Sequence, residues 1–399
     1  MSLNETPSGE RVHIAFFGKR NAGKSSLINA IAGQSLSIVS PVKGTTTDPV
    51  YKAMELLPAG PVMLVDTPGL DDEGELGMAR VAKARQILQK TDLAILVIDA
   101  AIGKSAEDEA LLDDIRSRGL PWLTVYNKAD LAPMTSLGEN EIAVSAENGQ
   151  NIPALKERIA QLASGEVSDK RLVADLVSPL DLVVLVVPID AAAPKGRLIL
   201  PQQQTIRDLL EAGAITTVVR DSELAKTLEC LHGQVKLVIT DSQAFRQVSG
   251  IVPDEVLLTS FSILFARYKG DLAGLVRGAK ALDQLRQGDK VLISEGCTHH
   301  RQCGDIGTEK LPRWLRQHAG CEPQFVFSSG REFPDHLSDY KLIIHCGGCM
   351  LNEREMQRRL RQAAAAGVPM TNYGISIAYM QGILERSLRP FPALHDLLS

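Results

Sequence analysis

The chain has 399 residues, 44% of them hydrophobic and 23% charged, with a formal net charge of −5. This length allows two or three domains, each with a core of its own, and the acidic balance counts against a nucleic-acid partner held through neutralised phosphates. Apolar runs such as Leu182–Val187 fall far short of the roughly 20 residues that a membrane-spanning helix needs. Residues 1–10 contain no apolar signal region, so the expected location is the cytoplasm. All six cysteines fall in the C-terminal half. In a reducing compartment that clustering reads as metal ligation rather than a disulfide framework.

Taken in order, a mostly apolar strand at Val12–Phe17 runs into Gly18-Lys19-Arg20-Asn21-Ala22-Gly23-Lys24-Ser25-Ser26, followed by an amphipathic helix through Leu27 and Ile31. Backbone N–H groups of such a turn and of the helix start form an anion cradle. Lys24 is placed to reach the β- and γ-phosphates, and the Ser25 hydroxyl to ligate Mg2+. Gly44-Thr45-Thr46-Thr47-Asp48 reads as a switch loop, with Thr46 the best candidate for a second Mg2+ hydroxyl. A strand at Val62–Val65 ends in Asp66-Thr67-Pro68-Gly69, where Asp66 would hold Mg2+ through water and the Gly69 amide would sense the γ-phosphate. After a buried strand at Leu93–Ile98, Leu123–Tyr126 leads into Asn127-Lys128-Ala129-Asp130. The Asp130 carboxylate can accept two hydrogen bonds from a guanine edge and none of that kind from adenine. Val144-Ser145-Ala146 completes the base pocket. Five motifs in this order predict GTP and GDP binding with Mg2+, and with it GTP hydrolysis.

Over roughly residues 8–165 these motifs resemble the TrmE–Era–EngA group of GTPases. Leu70 stands where Ras-like enzymes carry a water-orienting glutamine, so slow intrinsic hydrolysis is expected. In the group it resembles, an asparagine at the position of Asn21 helps to hold K+ against the phosphates, a substitute for an arginine finger; the plain alternative is that Asn21 stabilises the turn.

A helix at Ile152–Leu162 closes this domain, residues 1–166, and Ala163–Asp169 reads as a linker. In residues 170–265, strands at Leu182–Val187, Ile215–Val219, Leu237–Thr240 and Val256–Thr259 alternate with helices at Thr205–Ala212 and Glu223–Leu231. That alternation implies a small parallel sheet covered on both faces. The segment has no nucleophile, glycine fingerprint or titratable cluster, so docking or dimerisation is the expected role. Pro194-Lys195-Gly196-Arg197 reads as a solvated loop and Cys230 as core packing.

Residues 268–399 continue with a helix at Leu272–Leu285, a strand at Lys290–Ser294, a helix at Leu311–His318, a strand at Leu342–Ile344, a helix at Glu353–Ala366 and a strand at Val368–Thr371. Arg354 to Arg361 alternate with Glu353 and Glu355 as a solvated helix face does. Two apolar strands end in Gly296-Cys297-Thr298-His299 and in His345-Cys346-Gly347-Gly348-Cys349. Both clusters therefore fall at carboxyl ends of parallel strands, where α/β sheets place ligands. Cys303 is a rival fourth thiolate, since Cys297, Cys303, Cys346 and Cys349 would make a closed zinc site. His300 is only a neighbour, and Cys321 reads as packing.

With the N-terminal GTPase, the pattern Cys297-x-His299 … His345-Cys346-x-x-Cys349 resembles the HydF family, GTPases that mature di-iron (FeFe-type) hydrogenases, over the whole chain. The resemblance implies an α/β protein of three domains: a P-loop GTPase fold followed by two smaller parallel-sheet α/β domains, one for dimerisation and one for binding a cluster. It further implies a 4Fe-4S cluster on Cys297, Cys346 and Cys349. His299 and His345 either ligate iron, hydrogen-bond a cluster sulfur or pack. The implied role is that of a homodimeric scaffold receiving a transient di-iron precursor from two radical-SAM maturases and delivering it to the hydrogenase apoprotein. Rival readings are a GTPase with a structural zinc module acting on RNA or ribosomes, and a redox enzyme.

Overall fold

The structure, a computed structural model, describes residues 11–33, 49–57, 59–69, 84, 86–132, 134, 136–164, 170–189, 198–296, 305–330, 333–348 and 351–397. The described residues divide into two compact units, one up to residue 164 and one from residue 170 onward.

The first unit is built on a six-stranded sheet of β1 (Val12–Phe17), β2 (Val50–Leu56), β3 (Gly60–Asp66), β4 (Leu93–Asp99), β5 (Trp122–Asn127) and β6 (Glu141–Ala143). The spatial order is β2-β3-β1-β4-β5-β6. Only β2 runs antiparallel to its neighbour; the other pairs are parallel. Because successive side chains face opposite ways, Ile14, Phe16, Ile95 and Val97 enter one core layer with Leu27 and Ile31. Ala15, Phe17, Leu96 and Ile98 enter the other with Leu112 and Ile115. A sheet covered on both faces needs such near-continuous apolar strands. Helices Lys24–Ala32, Ala106–Ser117 and Ile152–Ser164 supply the cover. The middle helix starts at a capping box formed by Ser105 and Asp108, which satisfies two otherwise orphaned N–H groups.

The second unit holds two four-stranded sheets whose pairs are all parallel. The first contains β7 (Leu182–Val186), β8 (Ile215–Val219), β9 (Val235–Thr240) and β10 (Leu257–Ser260), ordered β10-β9-β7-β8. The second contains β11 (Lys290–Ser294), β12 (Gln324–Ser328), β13 (Leu342–His345) and β14 (Met370–Asn372), ordered β12-β11-β13-β14. One apolar core runs through both, from Leu172 to Phe391. The boundary expected between residues 265 and 268 falls inside helix Phe261–Lys269. Helix Tyr373–Met380 lies against that helix, and a Cβ on Gly374 would come within 2.3 Å of the Ser262 hydroxyl.

Two sequence expectations are corrected in detail. Cys230 is exposed rather than packed in the core. Its helix, Leu224–Cys230, buries Leu224, and six residues at 3.6 per turn carry Cys230 well round from that face. The helix expected over Leu272–Leu285 is α-helical only over Leu272–Ala279 and tightens to 3-10 geometry at Lys280–Gln284. Among the described residues no helix is long and apolar enough to cross a membrane.

Candidate functional site

In the first unit, the loop between β1 and helix Lys24–Ala32 closes only because two of its positions lack side chains. Gly18 has φ +142°, and a Cβ there would lie 2.2 Å from the Val97 carbonyl oxygen. Gly23 has φ +87°, and its Cβ would lie 2.2 Å from Asn127 Nδ2. Asn21 also adopts a left-handed φ of 62°, a conformation that asparagine tolerates better than most residues. Lys24 is buried, and its Nζ donates to the carbonyls of Gly18 (2.9 Å) and Lys19 (2.8 Å), curling the loop around the ammonium. Ala22 is buried in the same loop, while Ser25 and Ser26 are exposed at the helix start.

Ser25 Oγ donates to Asp66 Oδ2, bringing together a hydroxyl and a carboxylate from two separate motifs. The other oxygen, Asp66 Oδ1, is buried without a partner. Burial pushes the Asp66 pKa up against the opposing pull of Ser25 and Lys24. Two hard oxygen donors with one carboxylate oxygen unsatisfied fit a divalent cation such as Mg2+. Gly69, half-buried, lies just beyond on the same segment.

The residues expected to read guanine are tied to this loop through the Asn127 side chain. Asn127, 2% exposed, donates from Nδ2 to the Ala22 carbonyl (3.1 Å) and accepts at Oδ1 from the Ala146 N–H (3.0 Å). Ser145 is fully buried and accepts from the Asn148 N–H at 3.4 Å. Lys128, at φ 64°, donates to Asp99 Oδ2 at 2.5 Å, and the Asp130 carboxylate is exposed. Asp99 carries no motif signature. It enters the site because β4 and β5 pair in register, with Asp99 opposite Asn127. Thr45, Thr46 and Leu70 lie outside the described residues.

In the second unit, β11 and β13 are parallel neighbours with Ser294 opposite His345. The ladder continues one step as the Cys346 N–H donates to the Ser294 carbonyl at 2.8 Å. The Cys346 sulfur then receives the Gly296 N–H at 3.0 Å and the Gly348 N–H at 3.4 Å. Gly348 takes a left-handed φ of +65°, with Met356 Sδ 3.0 Å from where a Cβ would stand. Two N–H donors on one sulfur favour the thiolate, the form that binds metal. Gly296 and Gly348 immediately precede Cys297 and Cys349 in the sequence. Those two cysteines, His299, His300 and Cys303 lie outside the described residues, as does the loop 194–197. Among the described residues no three His, Cys, Asp or Glu side chains gather as a metal site.

His345 is fully buried, and both its ring nitrogens are engaged. Nδ1 lies 2.7 Å from the Cys346 carbonyl oxygen and Nε2 lies 2.9 Å from Arg359 Nη1. Burial, and then the Arg359 charge, pull its pKa down to about 4. Neither nitrogen offers a lone pair toward the cysteines in this arrangement, which favours the packing role among the three expected for it. The helix Glu353–Ala365 is not a solvated face throughout, as its sequence suggested: Glu355 and Arg359 are 2% and 0% exposed. Placed one turn apart, they neutralise each other at 2.9 Å beside His345.

Other polar groups close around the turn. Glu295 is buried and accepts from the Tyr373 hydroxyl at 3.4 Å. Burial, with the nearby Cys346 and Glu295 charges, pushes the Tyr373 pKa far up. Lys269, also buried, donates to the Leu351 carbonyl at 3.1 Å, anchoring the chain just past the turn.

Comparison with known proteins matches residues 13–128 to a 50S ribosome-binding GTPase family model. Residues 172–270 match the hydrogen maturase F dimerization domain, and residues 273–390 the hydrogen maturase F tetramerization domain. The tRNA modification GTPase MnmE of Xanthomonas euvesicatoria pv. vesicatoria is 41% identical over 161 residues, 40% of this chain and 35% of that protein. MnmE of Paraburkholderia xenovorans is 34% identical over 163 residues, 39% of this chain and 35% of that protein. The chain thus spans about a third of the length of these curated relatives. A crystal structure of an Aquifex aeolicus Era variant bound to GDP·AlF4− is similar at 23% identity and TM-score 0.35, over 56% of this chain and 98% of that one. The FeoB G-domain of Methanococcus jannaschii is similar at 25% identity and TM-score 0.30, over 39% and 98%.

Proposed function

Because the chain belongs to the hydrogen maturase F family, joining that family's two domain models to a GTPase domain, we propose that it is a GTP-hydrolysing scaffold for iron cargo on its way to FeFe-hydrogenase. Residues 1–166 bind and hydrolyse GTP, residues 170–265 dimerise, and residues 268–399 bind the cluster. The location is the cytoplasm, and the partners are radical-SAM maturases and the hydrogenase apoprotein.

The observation that carries the iron reading is the Cys346 sulfur. Two strand ends meet there, and the residue preceding each of the other two cysteines donates its N–H to it. That donor set suits an iron–sulfur ligand, whose potential is set in part by hydrogen bonds to sulfur. Cys297, Cys346 and Cys349 would hold a 4Fe-4S cluster, and three thiolates would leave it one position open to exchange with cargo. His345 orients the turn instead of ligating, and His299 is the remaining histidine candidate.

In the first unit, Lys24 with the N–H groups of Gly18, Ala22, Gly23 and Ser26 would cradle the phosphates. Ser25, Asp66 and Thr46 would hold Mg2+, with Thr45 beside them on the switch loop. Gly69 would sense the γ-phosphate, Asn127, Lys128, Asp130, Ser145 and Ala146 would form the base pocket, and Asn21 would place K+. With Leu70 unable to orient water, turnover leans on that cation.

The test is anaerobic reconstitution of the full chain with iron and sulfide, followed by metal analysis and visible and EPR spectroscopy. Thiolate-to-iron absorption that disappears in Cys346→Ser is the expected result. A colourless protein that takes up zinc refutes the iron reading. Separately, equal GTP turnover in potassium and sodium salts removes the cation from the mechanism.

A further inference from the structure

We infer that Arg359 is a positioning residue for the cysteine turn: it fixes the tautomer of His345 and, through it, the peptide plane that follows Cys346. The inference rests on reading that turn as an iron–sulfur site.

The chain of contacts is directional. A guanidinium has donors only, so Arg359 Nη1 at 2.9 Å makes His345 Nε2 the acceptor. The ring proton must then sit on Nδ1, where it donates to the Cys346 carbonyl at 2.7 Å. The other tautomer would set N–H against N–H and turn a lone pair toward the carbonyl. With His345 and Arg359 both 0% exposed, no solvent repairs that mismatch. Pinning the Cys346 carbonyl fixes the Cys346–Gly347 peptide, and hence the path that brings the Gly348 N–H to the sulfur.

Arg359 is itself held on every side. Nε donates to Glu355 Oε1 at 2.9 Å, Nη2 donates to the Gly330 carbonyl at 3.2 Å, and the guanidinium lies 5.0 Å from the Phe333 ring centroid. Glu355 is clamped in turn by Arg358 through bonds of 2.8 and 2.9 Å, and its N–H donates to the Asn352 side chain at 3.1 Å. A buried ion pair is poor value as a source of stability, since apolar residues of similar volume do as well or better. What apolar residues could not do is donate to Nε2. Outer-shell partners of metal ligands, when removed, typically cost about 10–100-fold in metal affinity.

The first experiment reads the tautomer in the metal-free full chain by 15N NMR after histidine labelling. Of the 8 histidines, one should show Nδ1–H with an acceptor Nε2, and that signature should vanish in Arg359→Gln. Its absence from wild-type protein overturns the inference. The second experiment measures iron release to a chelator, and the EPR spectrum of the reduced cluster, in the reconstituted protein. Arg359→Gln and Arg359→Lys should both release iron about tenfold faster, with an altered spectrum, because lysine keeps the charge but not the fork. His345→Phe retains a ring against Phe333 (centroids now 6.4 Å apart) and should match them, and it tests the same link if Arg359 variants fail to fold. Combined with Arg359→Gln it should release iron no faster than either alone. Wild-type rates and spectrum in Arg359→Gln overturn the positioning role alone. Wild-type protein that retains no iron overturns the cluster reading and this inference with it.

Discussion

Asn127→Ala severs a side chain that joins the loop at Ala22 to the loop at Ala146. It removes a 3.1 Å bond to the Ala22 carbonyl and a 3.0 Å bond from the Ala146 N–H. Each such bond contributes about 0.5–1.5 kcal/mol net, so together they hold about 1–3 kcal/mol. Ala22 is 3% exposed, which limits how far water can take over at its carbonyl and favours the upper part of that range. At about 1.4 kcal/mol per tenfold, affinity for GDP should fall by about 5- to 150-fold. Calorimetric titration with GDP and Mg2+ gives the affinity, and a melt of nucleotide-free protein separates this from general destabilisation. GDP affinity within twofold of wild type would show that the two loops hold their places without the link, and the reasoning would be wrong.

Asp66→Asn removes the charge of a half-buried carboxylate that has one orphaned oxygen; nucleotide-free protein should melt at a higher temperature while Mg2+-dependent GTP binding falls at least tenfold. Asp130→Asn should exchange guanine for xanthine preference in competition binding, since the 2-oxo group can accept from the new amide; unchanged guanine preference would sink that assignment. Tyr379 has its pKa raised from 10.0 to about 12, chiefly by burial and then by its hydrogen bond to Asp283. Ionisation is therefore easier in the unfolded chain, and the tyrosine's contribution to stability is full below pH 10 and lost as pH climbs to about 12. The melting-temperature advantage of wild type over Tyr379→Phe should be level up to pH 10 and shrink above it; a constant gap to pH 12 would contradict the assignment.

The candidate nucleotide site was legible because each of its parts is a contiguous string, from Gly18 to Ser26 and from Asn127 to Asp130. Around the cysteine turn, only residues on the two strand ends carried such a signal. Arg359, Glu355 and Tyr373 reach it through the fold, and the first two were masked by a helix so rich in charge that it reads as solvated. Among secondary structures, helix Tyr373–Met380 buries Gly374 through Ala378 consecutively, so it shows no amphipathic period. Strand β12 has Val326 and Phe327 partly exposed at a sheet edge, where neither alternation nor a continuous apolar run develops. Strand β2 is likewise an edge, and the one antiparallel member of its sheet.

The apolar core that runs unbroken from Leu172 to Phe391 makes the second unit a single cooperative block, in which melting one sheet strips packing from the other. A ligand bound only by the folded form stabilises whatever unfolds together with its site. If iron binds at Cys346 as proposed, it should therefore slow amide hydrogen exchange in β7 and β9 as well as in β11 and β13. The sheet β10-β9-β7-β8 would then register whether the chain is loaded, through thermodynamic linkage and without any change of shape.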